Sequence, residues 1–578
     1  MRIEPKEIAI NRVMRVIATL ALPMALAACG GGGADSGTPV KNDPPPVIGP
    51  VVASMMMDSA GGILAVTDAS SPLAGTQVVV PADALSNPTM ITIAPVSGAG
   101  FPANVVAVRL GPSDIVFSNP VTVTLPYSAQ YLAANAITDP ATLKLVAFNR
   151  NVANETLRTI AQDTNLNTVT AQTTHFSDFG VVGYTLASLS GDYAMNFTMI
   201  DARDDVGVLT TVPIPVDVPS VPYSTRLNVP FPAFAFRDEQ GTVRFDGAGN
   251  YQWSAIRNVA GTSIDVGGSG TYTVSPDGNV GLDFGLQGSV LAGGSTFVLA
   301  ATQSAQVVEM GMGVKKGGSF DVSSLQGSYA VALYYSDATA GPANTIALDV
   351  PDTLPYEASL AVPFPGYALN SELRTMIFDG AGNYSWSGTR NTSGNSRPVS
   401  GSGSYTVAAD GALTIDTGLT GHLLAGASTF ILTAPSGTVQ MGAGIKKGGT
   451  VSAASLEGRY TVAYHYTDAT ARAPDKIVIA IASTPYTNTF NVPFPLYGFN
   501  SEVRSIVFDG SGRYTWTGTR DQGGVSVSGS GSGSYSVDTD GVLSMDGRVM
   551  GNVLDGGSTF ILAPTSGQVT QIGVGLLR

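Results

Sequence analysis

The chain repeats itself three times at a spacing of domain size, and this repetition constrains its fold more than any other feature. The motif Leu-x-Gly-x-Tyr begins at Leu189, returns 136 residues later at Leu325, and returns again after 131 residues at Leu456. Each copy also carries a Phe-Asp-Gly turn followed by one of the chain's three tryptophans, Trp253, Trp386 and Trp516. A period of this length exceeds the unit of a solenoid, so each copy is expected to be a domain.

The pattern within a copy predicts antiparallel strands. In copy two, alternating runs separated by Asp-Gly and Gly-Gly turns predict strands near 327–335, 345–350, 358–364, 372–378, 383–390, 402–407, 412–416, 428–434 and 439–446. Eight or nine such strands without a helix predict an up-and-down meander that closes into a barrel, because closure removes exposed edges. We interpret glycine-rich fragments such as Gly401-Ser402-Gly403-Ser404 as loops or bends.

The opening Leu-x-Gly-x-Tyr and the later Gly-Ser-Gly-Ser-Tyr, which ends at Tyr405, resemble avidin-like or lipocalin-like barrels. This resemblance implies a fold, and no ligand is carried over from it.

The N-terminus has the pattern of a signal peptide. Four basic residues precede an apolar run, Val16–Ala28, whose 13 residues are too few to span a bilayer as a helix. The run ends in Leu26-Ala27-Ala28-Cys29, and Cys29 is the only cysteine of the chain, so a disulfide framework does not explain it. An ordinary cleavage site beside an unrelated cysteine is the alternative.

Leu26-Ala27-Ala28-Cys29 resembles the lipobox of bacterial lipoproteins. The resemblance implies that a diacylglycerol is attached to the thiol of Cys29, that the chain is cut before it, and that acyl chains hold the protein at a membrane. Gly30 rather than aspartate follows, which in such lipoproteins favours the outer membrane. The glycines and prolines up to Pro50 predict a tether that lifts the body from the lipid.

Residues 51–186 differ from the repeats. They contain Gly61-Gly62, a Val-Pro-Ala-Asp-Ala-Leu run at 80–85, Gly111-Pro112, Pro120-Val121 and a closing His175-Phe176-Ser177. This order resembles the ZU-type β-sandwich of zonula occludens proteins, netrin receptors and ankyrins. The resemblance implies a protein-interaction module.

The predicted fold class is therefore all-β: one β-sandwich followed by three tandem antiparallel barrel-like domains. The predicted division is 1–28 signal peptide, 29–50 tether, 51–186 sandwich, 187–318 repeat 1, 319–449 repeat 2 and 450–578 repeat 3.

Charge and residue usage exclude several classes of function. Without the first 28 residues the chain carries 25 basic and 41 acidic residues, a net charge of −16, which disfavours nucleic acid and anionic lipid headgroups as partners. The three histidines, His175, His422 and His465, lie in separate predicted domains, so no metal and no other cofactor is predicted. No nucleophile elbow or phosphate loop is present, and we predict a protein that is not an enzyme.

His175-Phe176-Ser177 carries one chemical hypothesis. In some relatives of the ZU-type sandwich the Phe–Ser bond of this tripeptide breaks by itself, which implies here that Ser177 attacks the carbonyl of Phe176 while His175 moves the hydroxyl proton. Alternatively, Phe176 is simply a core residue of a strand. Residues i and i+2 of a strand share a face, so His175 and Ser177 would point together either way.

The Asp-Gly turns at Asp246, Asp379 and Asp509 allow a calcium-loop interpretation. Calcium needs six to eight oxygen ligands. Each turn supplies one carboxylate, and the third has Arg513 where an oxygen would be required. A hairpin turn with glycines at positive φ fits the pattern better.

Each tryptophan is followed four residues later by an arginine, on the same face of the predicted strand. The pairs are Trp253 with Arg257, Trp386 with Arg390 and Trp516 with Arg520, and the preceding strands carry Glu239, Glu372 and Glu502. The opposite face is polar, so these groups are expected inside the barrels, where an unpaired charge is costly. Either they pair for structure alone, or they line a ligand pocket.

The predicted function is that of an outer-membrane lipoprotein, anchored in the membrane by its lipid, whose β domains bind an envelope protein or glycan. A carrier of a small ligand in each barrel is one alternative, and self-processing at Phe176-Ser177 is another.

Overall fold

A computed structural model describes residues 46–578 apart from 99–100, 102–103, 114, 136, 149–154, 202–210, 219–224, 231–234, 260–261, 303–306, 337–344, 351–357, 364–368, 393–394, 435–438, 450, 469–475, 482–485, 494–497, 523–524 and 567–568. The predicted signal peptide, Cys29 and most of the predicted tether therefore lie outside the described residues. The described residues belong to one compact unit.

The N-terminal domain consists of two antiparallel sheets that share an apolar core. Its strands are β1 Val47–Ile48, β2 Ala53–Met57, β3 Gly62–Ala65, β4 Gln77–Val80, β5 Thr89–Ser97, β6 Ala107–Gly111, β7 Val116–Pro126, β8 Lys144–Phe148, β9 Glu155–Thr156, β10 Thr159–Asp163, β11 Thr168–His175 and β12 Asp178–Val182. One sheet has the order β1-β5-β6-β12-β8-β9, with β2 on β5, and the other β10-β11-β7-β4-β3. A short helix, α1 (Ala129–Ala134), begins at Ser128, whose hydroxyl accepts the Tyr131 amide. Strand β1 falls in the stretch predicted as tether.

Each repeat forms a closed eight-stranded antiparallel barrel, and the all-β prediction is confirmed. Barrel 1 contains β13 Ser190–Asp201, β16 Ala235–Asp246, β17 Asn250–Val259, β18 Thr262–Val274, β19 Asn279–Leu282, β20 Leu286–Val290, β21 Thr296–Ala301 and β22 Val307–Lys315. Barrel 2 contains β23 Gln326–Ser336, β26 Leu369–Asp379, β27 Asn383–Thr392, β28 Asn395–Val407, β29 Ala412–Ile415, β30 Thr420–Leu423, β31 Thr429–Thr433 and β32 Val439–Lys446. Barrel 3 contains β33 Gly458–Asp468, β36 Gly498–Phe508, β37 Arg513–Gln522, β38 Val525–Val537, β39 Val542–Met545, β40 Val549–Val553, β41 Thr559–Pro564 and β42 Val569–Leu577.

The interpretation of Gly401–Ser404 as a loop or bend was wrong, because these residues lie inside β28. The structure shows what the glycines do there. A Cβ on Gly401 would lie 2.8 Å from the Trp386 indole nitrogen, and a Cβ on Gly403 would collide with the Asp416 carboxylate. The bare backbone thus leaves space inside the barrel for larger side chains of the neighbouring strands.

Two strands of each repeat leave the barrel, contrary to the expectation that all strands of a copy join one meander. They are β14 Thr211–Val218 and β15 Thr225–Pro230, β24 Thr345–Val350 and β25 Ala358–Pro363, and β34 Lys476–Ile481 and β35 Tyr486–Pro493. Strand β15 pairs with β24, β25 with β34, and β35 with β14. Each repeat is thereby joined to both others, and the three form a closed ring.

The barrels also pack on one another in the same cyclic order. The Asn196 amide of barrel 1 donates to Leu432 O of barrel 2 at 2.9 Å, and the Ser371 hydroxyl of barrel 2 donates to Pro564 O of barrel 3 at 3.0 Å. The Ser501 hydroxyl of barrel 3 donates to Ala301 O of barrel 1 at 2.7 Å. One apolar cluster contains outward-facing residues of all three barrels. The three barrels therefore pack against one another through a shared apolar interface, while the lumens of barrels 1 and 2 belong to separate apolar clusters.

Among the residues that the structure describes, no helix combines the length and the apolar character needed to cross a bilayer.

Candidate functional site

The lumen of each barrel is filled at one end by aromatic side chains. In barrel 1, Tyr193 packs edge-on against Phe245 with ring centres 5.6 Å apart, and its hydroxyl donates to Gly294 O at 2.6 Å. Tyr329 and Tyr460 make the same bond to Ala427 O and Gly557 O in the other barrels. These bonds anchor the loop before the seventh strand of each barrel, and residues at both ends of all three loops line one cavity together with residues of the N-terminal domain.

The predicted glutamates and arginines lie directly opposite each other on adjacent strands. The register pairs Glu239 with Arg257, Glu372 with Arg390 and Glu502 with Arg520. The Arg257 guanidinium contacts Glu239, and that of Arg390 contacts Glu372. In barrel 3 the Arg520 guanidinium instead donates to the Tyr466 hydroxyl at 3.3 Å.

A second arginine, which the sequence pattern did not predict, completes the site in barrels 2 and 3. Arg374 and Arg504 stand two residues after the glutamate on the same strand and bind its carboxylate. Their guanidinium carbons lie 3.9 Å and 4.1 Å from the ring centres of Trp386 and Trp516. A cation over an indole face is favourable, so a guanidinium group covers one face of Trp386 and of Trp516. The signal that could have revealed them was the Glu-x-Arg spacing, which barrel 1 lacks because Gly241 stands there.

The carboxylate of Glu372 is the best-partnered charge in the lumens. It is fully buried and accepts the Tyr335 hydroxyl at 2.6 Å as well as both arginines. Burial alone raises its pKa, but the charge of Arg374 and the hydrogen bonds outweigh burial and hold the pKa of Glu372 below its ordinary value. The group is therefore a satisfied anion that needs no ligand.

Each barrel also has a tyrosine whose hydroxyl binds an exposed aspartate. The Tyr251 hydroxyl donates to Asp283 at 3.0 Å, that of Tyr384 to Asp416 at 3.0 Å, and that of Tyr514 to Asp546 at 2.6 Å. The same aspartates accept a backbone amide of β18, β28 or β38, as Asp416 does from Ser404 at 2.7 Å. Each tyrosine–aspartate pair thus lies where β18, β28 or β38 begins to pair with the strand that follows it.

His175, Phe176 and Ser177 lie at the passage from one sheet of the N-terminal domain to the other. Strand β11 ends at His175 and β12 begins at Asp178, so the expectation that His175 and Ser177 share a strand face does not apply. The His175 Nε2 atom contacts Glu155 at 2.7 Å, and the Ser177 hydroxyl donates to Phe148 O at 3.3 Å. Phe176 is buried and packs on Phe117.

His175 faces a cavity of about 490 Å³ between the N-terminal domain and the ring. Each barrel contributes a leucine, a serine and a threonine to its wall, namely Leu291, Ser295 and Thr296 with their counterparts Leu424, Ser428, Thr429, Leu554, Ser558 and Thr559. The hydrogen bond that the imidazole makes to the Glu155 carboxylate raises the pKa of His175 despite its burial. The Glu155 carboxylate thus holds the His175 imidazole at the wall of this cavity.

The Asp-Gly turns use their carboxylates internally. Asp246 Oδ1 accepts the amides of Ala248 at 2.7 Å and Asn250 at 2.9 Å, and Oδ2 accepts the Asn250 side chain at 2.7 Å. Asp379 repeats this pattern. In the described part of the chain, no group of three or more His, Cys, Asp or Glu side chains has an arrangement suited to a metal ion.

No protein-family model matches this chain, and no curated protein sequence matches it. Solved structures that match the chain include two of transferrin binding protein B, both at very low sequence identity. One is a double mutant of transferrin binding protein B from Haemophilus parasuis, with 9% identity, 82% of this chain and 95% of that chain covered, and a TM-score of 0.13. The other is isotype 1 transferrin binding protein B from serogroup B Neisseria meningitidis, with 9% identity, 78% and 91% covered, and a TM-score of 0.15. At these TM-scores the similarity does not establish a shared fold or a shared function.

Proposed function

We propose that this protein is a non-enzymatic, lipid-anchored envelope protein of the bacterial outer membrane that binds a macromolecular partner, an envelope protein or glycan, through repeated outer surfaces of its barrels. The Cys29 motif supports the anchor, and the order of motifs in 51–186 supports a ZU-type interaction module next to it.

The observation that carries the proposal is the long hairpin on each barrel. In barrel 2, β28 pairs with β27 over ten residues, Asn395–Ser404, but with β29 only over Tyr405–Val407. Barrels 1 and 3 have the same arrangement. The outer strand of each hairpin is mostly exposed and consists largely of serine and glycine.

Such an edge offers main-chain donors and acceptors to another molecule. Within the described residues, Asn395–Ser404 pairs with no strand besides β27, and an exposed edge of this length is a template for strand addition. Three equivalent edges on one ring would let a partner with repeated structure bind all of them, which multiplies affinity without new contacts.

The interior of barrel 2 favours this proposal over a carrier that uses the tryptophan face. Arg374 covers the Trp386 ring, and Glu372 neutralises charge from both arginines. The predicted ligand groups of that barrel are thus occupied by one another.

The test is site-specific photocrosslinking in living cells with the full chain. A photoreactive residue replaces the exposed Ser269, Ser402 or Ser532, the equivalent positions of the three hairpins, and Asn165 in a turn of the N-terminal domain is the control. We expect the same envelope species to crosslink at all three hairpin positions and not at the control. Crosslinks at Asn165 alone, or none at the three serines, would contradict the proposal.

A further inference from the structure

Barrel 3 differs from barrels 1 and 2 at one end of its lumen, and comparison of the three repeats shows which residues differ. The turn before the sixth barrel strand ends in Gly285-Leu286 in barrel 1 and Gly418-Leu419 in barrel 2, but in Arg548-Val549 in barrel 3. Leu286 and Leu419 are buried, 1% and 6% exposed, inside the apolar cores of their barrels. Val549 is shorter by one methylene group and only half-buried.

A cavity of about 330 Å³ lies at this place in barrel 3. It is lined by Tyr464, Arg504, Tyr514, Met545, Asp546, Arg548, Val549 and Gln571. Its volume is at the small end of the range of about 300–1,000 Å³ that is usual for ligand pockets. The cavity does not involve the face of Trp516 that Arg504 covers.

The polar groups of the cavity offer more donors than acceptors. The one carboxylate, Asp546, accepts the Tyr514 hydroxyl at 2.6 Å and the Ser534 amide at 2.8 Å, and it faces two arginines in the same lining. Arg548 is exposed, and within the described part of the chain the side chains of Arg548 and Gln571 and the hydroxyl of Tyr464 form no hydrogen bond. Arg504 donates from Nε and Nη2 to the Glu502 carboxylate, at 2.7 and 2.8 Å, which leaves its Nη1 atom for a ligand.

We propose that barrel 3 binds a small molecule that carries an oxyanion, a carboxylate or phosphate group, and an apolar body. The oxyanion pairs with Arg548 and the remaining Arg504 nitrogen, because charge-assisted bonds from a guanidinium are the strongest such contacts available there. The body lies against Met545, Val549 and the Tyr514 ring. This site is independent of the hairpin edges, so either proposal can fail alone.

The sister barrels supply the variants. Arg548→Gly restores the residue of barrels 1 and 2 and removes the exposed cation, and Val549→Leu restores their leucine and narrows the cavity by one methylene group. Arg513→Asn is the matched control, because it also restores a sister residue and removes one positive charge from barrel 3, but at an exposed turn outside the cavity.

The measurement is calorimetric titration of the full chain in detergent with benzoate, and with benzamide as the neutral analogue. We expect saturable binding of one benzoate per chain and little binding of benzamide. Arg548→Gly should lose about tenfold or more in affinity, and Val549→Leu should also bind measurably more weakly. Arg513→Asn should bind as the wild type does. Because Arg548 is exposed, its replacement leaves the fold intact and keeps the test decisive.

Three outcomes overturn the proposal: no saturable benzoate binding by the wild type, equal binding of benzamide, or unchanged binding in both cavity variants.

Discussion

Replacement of Glu372 by glutamine should destabilise barrel 2 far more than a surface change would. The carboxylate is fully buried and is the shared acceptor for Tyr335, Arg374 and Arg390. Glutamine keeps the size but removes the negative charge, so two guanidinium groups remain close together without a counter-charge.

The magnitude follows from burial. Loss of one partner of a buried ion pair costs about 3–5 kcal/mol. The side chains of Arg374 and Arg390 retain 12% and 24% of their exposure, so water partly solvates them. We therefore expect the low end, about 3 kcal/mol, which corresponds to about a hundredfold in an opening equilibrium.

Hydrogen exchange measured by mass spectrometry resolves this effect strand by strand. Amides of β26 and β27 should lose about two orders of magnitude of protection in Glu372→Gln, while the equivalent strands of barrels 1 and 3 serve as internal references. Ser387→Ala, on the exposed face of the same hairpin, should change protection by less than about 0.5 kcal/mol. A loss below about 1 kcal/mol for Glu372→Gln would refute the view that this charge holds the lumen together.

The pH dependence gives an independent check with a fixed sign. The pKa of folded Glu372 lies below that of the unfolded chain, about 4.3, so its stabilisation is complete above that value and is lost as the pH falls through the folded pKa. The difference between wild type and Glu372→Gln should accordingly shrink in acid. A difference that grows on acidification would contradict the assignment.

Three further outcomes are expected. Asn391→Ala removes a 3.0 Å hydrogen bond to Val569 O between barrels 2 and 3. The loss should lower the hydrogen-exchange protection of β42 by about 1–3 kcal/mol, with β22 of barrel 1 as the reference. Unchanged exchange in β42 would count against this contact between the barrels. His465 is fully buried, and burial lowers its pKa to about 3. In urea unfolding the wild type should therefore lose stability as the pH falls from about 6.5, whereas the stability of His465→Phe should depend less on pH. The same pH dependence in both proteins would disprove this. Because the Ser177 hydroxyl donates to Phe148 O, the purified wild type and Ser177→Ala should both run as one intact band on a denaturing gel, and cleavage in the wild type alone would show self-processing instead.

The Glu–Arg pairs illustrate how far strand periodicity reaches. Alternation along β26 and β27 sufficed to put Glu372, Trp386 and Arg390 on the inner face, because side chains of a strand alternate by geometry. The same rule applied to Arg374, but its role as the cover of the indole ring depended on the register between two strands, which no local pattern records.

The sequence by itself determined the all-β class, the three copies and the inward face of the barrel strands, since these depend on short-range alternation, turn residues and repetition. Only the tertiary structure decided that β24 and β25 leave their barrel and pair with other repeats, because a strand with the same alternation can pair within a domain or between domains. It also decided that one methylene group fewer at Val549 accompanies a cavity in barrel 3, since the filling of a lumen depends on side chains brought together from distant strands.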